Sequence, residues 1–379
     1  MNEEILPSDC DAAGLQPQTT ETCCGPETFP GGEVVDEKAT WFKGWRQTPV
    51  GKVASISTHM GLKDKLGGCR VRWGIRRMHY TVPAGLYAVG EPGSDSPVLV
   101  TANYKLSFDL LRRELSGRNL WLLVLETFGI NVWCAAGKRT FGTSELVNRI
   151  HKVQLERVVS HRAIILPQLG APGVAAHEVK KATGFRVRYG PVRAGDLPQY
   201  LDNGLKATEE TRRISFSLWD RLVLTPVELV TAWKASLVAL FLIFLLSGLG
   251  RNGFSFAGAL SRGFTPGLTY LGALLMGAVV TPVFLPWIPG RAFSLKGGQV
   301  GLLWALLLTL TLASNWSGAS LVGLFLIAPA LTAYFAMNFT GCSTFTSLSG
   351  VQKEMRIAVP VIILSIVSGG AAFLVGRFL

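Results

Sequence analysis

The residues with the most chemical content lie in one octapeptide, Asn131-Val132-Trp133-Cys134-Ala135-Ala136-Gly137-Lys138. Small residues after the cysteine and a lysine at the end predict one or two turns of helix, with Cys134 in the first turn. There the helix dipole and free backbone N–H groups favour the thiolate, the form of cysteine that binds soft metals and attacks electrophiles. A lone cysteine also serves elsewhere as a small buried hydrophobe. Here a neighbouring aromatic and two alanines, which pack flat against a planar ligand, weigh toward function. The other cysteines are Cys10, Cys23, Cys24, Cys69 and Cys342, and no two of the six form a C-x-x-C pair. An iron–sulfur cluster or zinc ribbon built within this chain alone is thereby excluded. The adjacent Cys23 and Cys24 read either as incidental thiols or as a soft-metal capture pair.

The elements that must position Cys134 follow from periodicity. From Pro97 onward, short apolar runs predict strands at 97–100, 120–125, 163–166 and 185–189, alternating with helical patterns at 104–115, 144–153, 173–183 and 196–201. Strands alternating with helices imply an α/β fold, a parallel sheet covered on both faces. In such sheets the ligand lies off the carboxyl ends of the strands. Those ends carry Thr101-Ala102-Asn103, Glu126-Thr127-Phe128-Gly129, Gln168-Leu169-Gly170-Ala171-Pro172-Gly173 and Gly190-Pro191-Val192-Arg193. Four such polar loops on one edge, three of them with glycine, suit close approach to a large ligand.

The 379 residues include only 16% charged ones and have a mean hydropathy of +0.34, too apolar for an ordinary soluble chain. Residues 231–379 hold one acidic residue, Glu354, against eight basic ones, whereas residues 1–230 hold 29 basic and 24 acidic. This describes a soluble half followed by a membrane half and excludes a single globular enzyme. Much of the +12 net charge flanks apolar segments, where Lys and Arg act as topology signals, and no basic run interleaved with aromatics points to nucleic acid. Five transmembrane helices are expected at 235–249, 267–287, 299–313, 319–337 and 357–378. Arg291, Lys296, Lys353 and Arg356 then lie inside and Arg251, Arg262 and Arg377 outside, which places the soluble domain in the cytoplasm. The acidic start Met1-Asn2-Glu3-Glu4, without a signal-peptide core, agrees. Expected boundaries are a mobile tail over 1–45, an α/β domain over 46–225 and a membrane domain over 226–379.

The octapeptide resembles the cap-helix signature of the HgcA family, the membrane-bound corrinoid proteins of bacterial and archaeal mercury methylation. The resemblance extends through residues 98–107, 166–173 and 189–193, and to Asn338-Phe339-Thr340-Gly341 before the last apolar segment. Over roughly residues 60–205 the chain looks like the corrinoid domain shared with the large subunit of the corrinoid iron–sulfur protein. The long N-terminal tail departs from that pattern. The resemblance implies a Rossmann-like domain binding a cobalamin-type corrinoid, followed by five transmembrane helices. It implies Cys134 as the catalytic residue and lower axial ligand of cobalt. Strand-end positions add Thr101, Asn103, Asn131, Val132, Trp133, Ala135, Ala136, Gly137, Lys138, Gln168, Gly170, Ala171, Gly190 and Pro191 as cofactor contacts.

The implied reaction is methyl transfer to Hg(II). Because Hg(II) is an electrophile, the methyl group must leave cobalt as a carbanion equivalent, and a trans thiolate, a soft anionic donor, stabilises the Co(III) left behind. Accepting a methyl cation again requires Co(I), so each turnover consumes two low-potential electrons that no cluster in this chain supplies. The resemblance names an HgcB-type ferredoxin with two four-iron clusters as reductant and mercury donor, and a methyl donor linked to methyltetrahydrofolate. The chain has no Asp-x-His cobalamin motif, and its five histidines present no ready rival ligand. Two alternatives remain: a membrane-anchored corrinoid methyl carrier of one-carbon/acetyl-CoA metabolism, and a transporter with a ligand-sensing cytoplasmic domain. The membrane segments lack the acidic residues and histidines that ion pathways use.

Overall fold

The computed structural model describes residues 34–250, 253–312, 316–343, 346 and 348–378. Cys10, Cys23 and Cys24, and most of the expected tail, lie outside them. Seven strands form one sheet: β1 (Phe42–Thr48), β2 (Gly51–Ile56), β3 (Gly85–Val89), β4 (Val98–Ala102), β5 (Leu120–Leu125), β6 (Ala163–Leu166) and β7 (Arg186–Tyr189). Their order is β1-β2-β3-β5-β4-β6-β7. β4 runs parallel to both β5 and β6, and β6 to β7, so the four expected strands make the parallel half. The expectation of a wholly parallel sheet is corrected at the other edge. There β3 is antiparallel to β5 and β1 to β2, while β2 and β3 are parallel. β3, β4 and β5 are buried along their whole length, as strands covered on both faces must be.

The covering helices are α1 (Leu62–Arg72), α2 (Lys105–Glu114), α3 (Val132–Gly137), α4 (Thr143–Lys152), α5 (Leu155–Val158), α6 (Ala176–Thr183), α7 (Leu197–Asp202) and α8 (Glu209–Arg212). The helix expected from 173 starts only at Ala176. Residues Gln168–Gly173 form a 3-10 turn containing Pro172, which lacks an N–H and bars the preceding residue from α-helical geometry. The tail expected to reach residue 45 ends earlier. Trp41 is buried and meets Tyr87 and Phe108 edge-on at 5.5 and 5.6 Å, and β1 already begins at Phe42.

α1 and α2 are joined by buried charge. Lys105 Nζ lies 2.9 Å from Asp64 and 2.6 Å from Asp109, and Arg112 lies 2.8 Å from each carboxylate. Arg112 also donates to the carbonyl oxygens of Ser57 and His59 at 2.6 and 2.7 Å, tying α2 to the chain leaving β2. Burial opposes ionisation of Asp64. Hydrogen bonds from Thr40 and Lys105, with the charges of Lys105 and Arg112, outweigh it and hold the carboxyl at about 2.

The C-terminal part is helical: α9 (Leu218–Gly248), α10 (Phe256–Leu275), which continues through a π-turn at Met276–Val280 into α11 (Thr281–Val283), then α12 (Phe293–Leu312), α13 (Gly318–Asn338) and α14 (Leu348–Phe378). Five spans, Leu218–Gly248, Phe256–Val283, Phe293–Leu312, Gly318–Gly341 and Ser349–Gly376, are long and apolar enough to cross a membrane. α13 is central, packed against α10, α12 and α14. The close approach uses small residues: a Cβ on Gly277 or Gly297 would stand 2.6 or 2.7 Å from the Thr332 carbonyl oxygen. α9 and α14 instead leave Leu237, Phe241, Leu245, Val361 and Leu364 exposed.

The Asp64 network generates an acid-stability prediction. Because its folded-state pKa lies below its ordinary value, Asp64 contributes stability that is complete above about pH 4 and lost as pH falls toward 2. Asp64→Asn leaves Lys105 and Arg112 to share the Asp109 carboxylate alone and is expected to cost about 2–3 kcal/mol. Denaturant titrations at stepped pH, followed by near-ultraviolet circular dichroism, should show the loss and a flatter acid limb.

Candidate functional site

The loop from β5 to α3 is built around a buried side chain. Asn103, at the end of β4, is 3% exposed, and its Oδ1 accepts from the N–H of Thr127 at 3.1 Å and of Gly129 at 3.2 Å. The Thr127 hydroxyl lies 2.8 Å from both Asn103 Oδ1 and the Ile130 carbonyl oxygen. Asn103 Nδ2 donates to Glu126 Oε1 at 2.7 Å, and the same oxygen accepts from the Phe128 N–H at 2.7 Å. On the far side Glu145 of α4 accepts the Glu126 N–H at 3.0 Å and is itself held by Arg149. These bonds fix a turn in which Phe128 and Gly129 both have positive φ, 56° and 70°. A Cβ on Gly129 would stand 2.6 Å from the Met78 carbonyl oxygen, so glycine is required there on two counts.

The turn delivers Asn131 as the N-cap of α3. Its Oδ1 accepts from the Cys134 N–H at 2.9 Å, so one N–H expected to be free is satisfied within the helix. α3 has six residues, and Cys134 is exposed. Ala135 and Ala136 are buried, 0% and 2% exposed, rather than lying open to a ligand. The expected flat seat is corrected accordingly: α3 rests its alanines on the Gln168–Gly173 turn. A Cβ on Gly173 would stand 3.0 Å from Ala136 Cα and 2.1 Å from the Phe141 carbonyl oxygen, and one on Gly170 would stand 2.6 Å from the Phe141 ring. These two glycines therefore admit protein, not ligand. Tyr189 steadies the same region, donating to the Val174 carbonyl oxygen at 2.8 Å. Burial pushes its phenol up, so it remains a protonated donor.

A cavity of about 330 Å³ lies between α2 and the carboxyl ends of β4, β6 and β7. Of the expected contacts, Thr101, Asn131, Val132, Trp133, Gly190 and Pro191 line it. Cys134, Gly137 and Lys138 are exposed on the adjoining α3, while Asn103, Ala135, Ala136, Gln168, Gly170 and Ala171 lie off the wall. Gln168 Oε1 is buried and accepts no hydrogen bond from a described residue. None of the five histidines reaches the cavity: His59, His79, His151 and His177 are exposed, and His161 Nε2 contacts the Ser96 carbonyl oxygen. Sequence reasoning missed the α2 wall, Ser107, Leu110 and Leu111. Their helical spacing was visible, but not which face they would turn to the sheet. Arg193 was also missed. It lines the cavity and bonds Ser215 Oγ and Asp220 Oδ2, both at 2.7 Å, which couples the rim to the start of α9.

An α/β domain with a cavity at the carboxyl edge of its sheet and an exposed thiol beside it defines the class of site. Its kinship is found by comparison. A family profile described as the CO dehydrogenase/acetyl-CoA synthase delta subunit matches residues 76–201, a stretch containing Cys134 and the whole cavity wall. The chain is similar to the acetyl-CoA decarbonylase/synthase complex subunit gamma of Methanopyrus kandleri, 33% identical over 132 residues, which are 34% of this chain and 28% of that one. The subunit of the same name from Archaeoglobus fulgidus is 32% identical over 123 residues, 32% of this chain and 26% of the relative. That from Methanothermobacter thermautotrophicus is 32% identical over 130 residues, 33% and 28%. The chain thus spans little more than a quarter of the length of the curated relatives it matches. The five apolar helices lie outside the family match.

Two substitutions test this geometry. Asn103→Ala strips buried N–H groups of their acceptor, at about 1–3 kcal/mol for each donor left unpaired. Gly173→Ala overpacks the α3 contact, at about 1–3 kcal/mol. Differential scanning calorimetry should show a lowered Tm for both, with Gly137→Ala, whose Cβ meets nothing within 4 Å, as the unaffected control.

Proposed function

We propose that this chain is a membrane-anchored, corrinoid-dependent methyltransferase in which the Cys134 thiolate would bind the cobalt of the corrinoid. The observation that carries the reading is the placement of Cys134, the one cysteine of the matched segment 76–201. It is exposed on a short, N-capped helix at the carboxyl edge of the sheet, beside an apolar cavity. The residues present fit such a group. A thiolate is a soft donor suited to cobalt, and Leu99, Val132, Trp133 and Pro191 offer apolar surface. When bound, the corrinoid supplies a metal that carries a methyl group and changes oxidation state.

The chain's own residues do the positioning. Asn131 fixes the first turn of α3 and so the direction of Cys134. The Asn103 network prevents the preceding loop from relaxing, and Trp133 and Val132 exclude water from the cavity side of the helix. The five apolar helices anchor this domain at the membrane, and Arg291, Lys296, Lys353 and Arg356 on the side of the soluble domain favour the cytoplasmic face.

The finer reading takes Hg(II) as methyl acceptor. It rests on the resemblance of residues 131–138 to the HgcA cap helix, and it brings an HgcB-type ferredoxin as reductant and mercury donor and a methyltetrahydrofolate-linked methyl source. A second reading is favoured by the comparisons, because the similar subunits are named for an acetyl-CoA decarbonylase/synthase complex. In it the chain carries methyl groups in one-carbon/acetyl-CoA metabolism.

Anaerobic purification of wild type and Cys134→Ala, with absorption spectra and methylmercury assays, separates these ideas. Wild type is expected to bind corrinoid, Cys134→Ala to shift its spectrum, and methylmercury formation to vanish in the variant. A variant that kept both spectrum and activity would falsify ligation by Cys134. Corrinoid binding with methyl transfer to an acetyl-CoA synthase but none to Hg(II) would establish the carrier reading. Alkaline carbonate extraction should leave the full chain in the membrane pellet; release into the supernatant would remove the anchor.

A further inference from the structure

A second large cavity, about 1360 Å³, lies in the helical half between α12, α13 and α14. α13 packs against both other helices, so it floors a groove whose walls are α12 and α14. Along the groove the lining is apolar, with exposed Leu302, Phe325 and Val361. One end is charged. Arg291, Lys296, Lys353 and Glu354 gather there. It is the end facing the soluble domain, because Leu285 and Phe293 beside it pack with Phe216 and Leu224 at the root of α9.

The three cations are not balanced from within. Glu354 Oε1 is engaged by the Ser294 N–H at 2.6 Å, in the first turn of α12. Arg291 and Lys353 are exposed and form no ion pair with a described residue. Lys296 is only 7% exposed, yet the one partner of its Nζ among the described residues is the Leu285 carbonyl oxygen. An ammonium has three N–H donors, and a buried charge without a counter-ion is strongly unfavourable. The cavity therefore holds unused donors and an unneutralised positive charge at one end, and an unfilled apolar length at the other.

We infer that this groove binds an anionic phospholipid from the leaflet on the side of the soluble domain. Its phosphate is held by Lys296, Arg291 and Lys353, and an acyl chain runs along Leu302, Phe325 and Val361. Basic pockets between transmembrane helices are suited to such headgroups. A free anion would answer the charge but leave the apolar length empty. The inference rests on the membrane reading above and is independent of the corrinoid.

The test uses the full chain, stripped of lipid in detergent and titrated with phosphatidylglycerol or phosphatidylcholine under native mass spectrometry. Phosphatidylglycerol should be retained preferentially. Arg291→Gln with Lys353→Gln should weaken its retention about fivefold for each cation removed, Lys296→Met should abolish the preference, and Lys296→Arg should preserve it. Removing an unpaired buried cation should leave helix content intact by circular dichroism; if Lys296→Met fails to fold, the double variant decides. Equal retention of the two lipids by wild type, unchanged retention in the variants, or displacement by inorganic phosphate at equal concentration would overturn the proposal. Carbonate extraction of the same variants reports on membrane insertion separately, so failure of the anchor and failure of the lipid site are distinguishable.

Discussion

At the carboxyl end of β4 the Asn103 carboxamide holds the N–H groups of Thr127 and Gly129 on its oxygen and the Glu126 carboxylate on its nitrogen, and the placement of α3 depends on those bonds. The loop they span cannot satisfy itself. Phe128 takes a positive φ that side chains resist, Gly129 passes against the Met78 carbonyl, and a buried N–H without a partner costs about as much as a hydrogen bond. Glu145 and Arg149 extend the network to α4 and, through the Ala84 carbonyl oxygen, to the segment entering β3. The thiol is exposed, but the peptide carrying it is anchored from three sides. A soft metal bound there would find that combination useful: open access to the thiol, with a backbone already held in place.

How much of this was legible in the sequence depends on how local each signal is. The four strands of the parallel half and the helices between them announce themselves through runs such as Leu120–Leu125 and the spacing of α2. β1 carries Phe42-Lys43-Gly44-Trp45-Arg46-Gln47-Thr48, with no run of apolar residues, and is a strand because β2 pairs with it and Trp41 anchors its start. α1 is poor in apolar periodicity and has two adjacent glycines. It is held by the ion pairs of Asp64 with Lys105 and Arg112, contacts some forty residues distant along the chain, which no local pattern records.

The candidate site divides the same way. The octapeptide marks the thiol and its helix, and the polar strand ends mark the edge where the cavity lies. The small size of Ala135, Ala136, Gly170 and Gly173 was visible too, but small residues record that something comes close without recording what. In this fold the close neighbours are Phe141 and the adjoining turn. The number of apolar helices was also legible, since hydropathy is local, whereas their lengths were not. α9 starts at Leu218 because Ser217 and Asp220 form a capping box, well before the apolar stretch begins.

That early start has a consequence for how the two halves work together. The first turn of α9 lies outside the apolar segment, and there Asp220 serves two partners: it caps its own helix through Ser217 and holds Arg193 from the cavity rim. Nearby, Phe216 stacks on Phe339 at 6.3 Å between centroids, joining the same root to the end of α13. Arg193 and Asp220 are both partly exposed, so the attraction between them is modest. The carboxylate is held instead by its role as a cap, accepting from the Ser217 N–H and hydroxyl at 2.9 and 2.8 Å, so Arg193 meets an acceptor already fixed in place. The cavity edge of the soluble domain is thereby set against the root of the helical bundle.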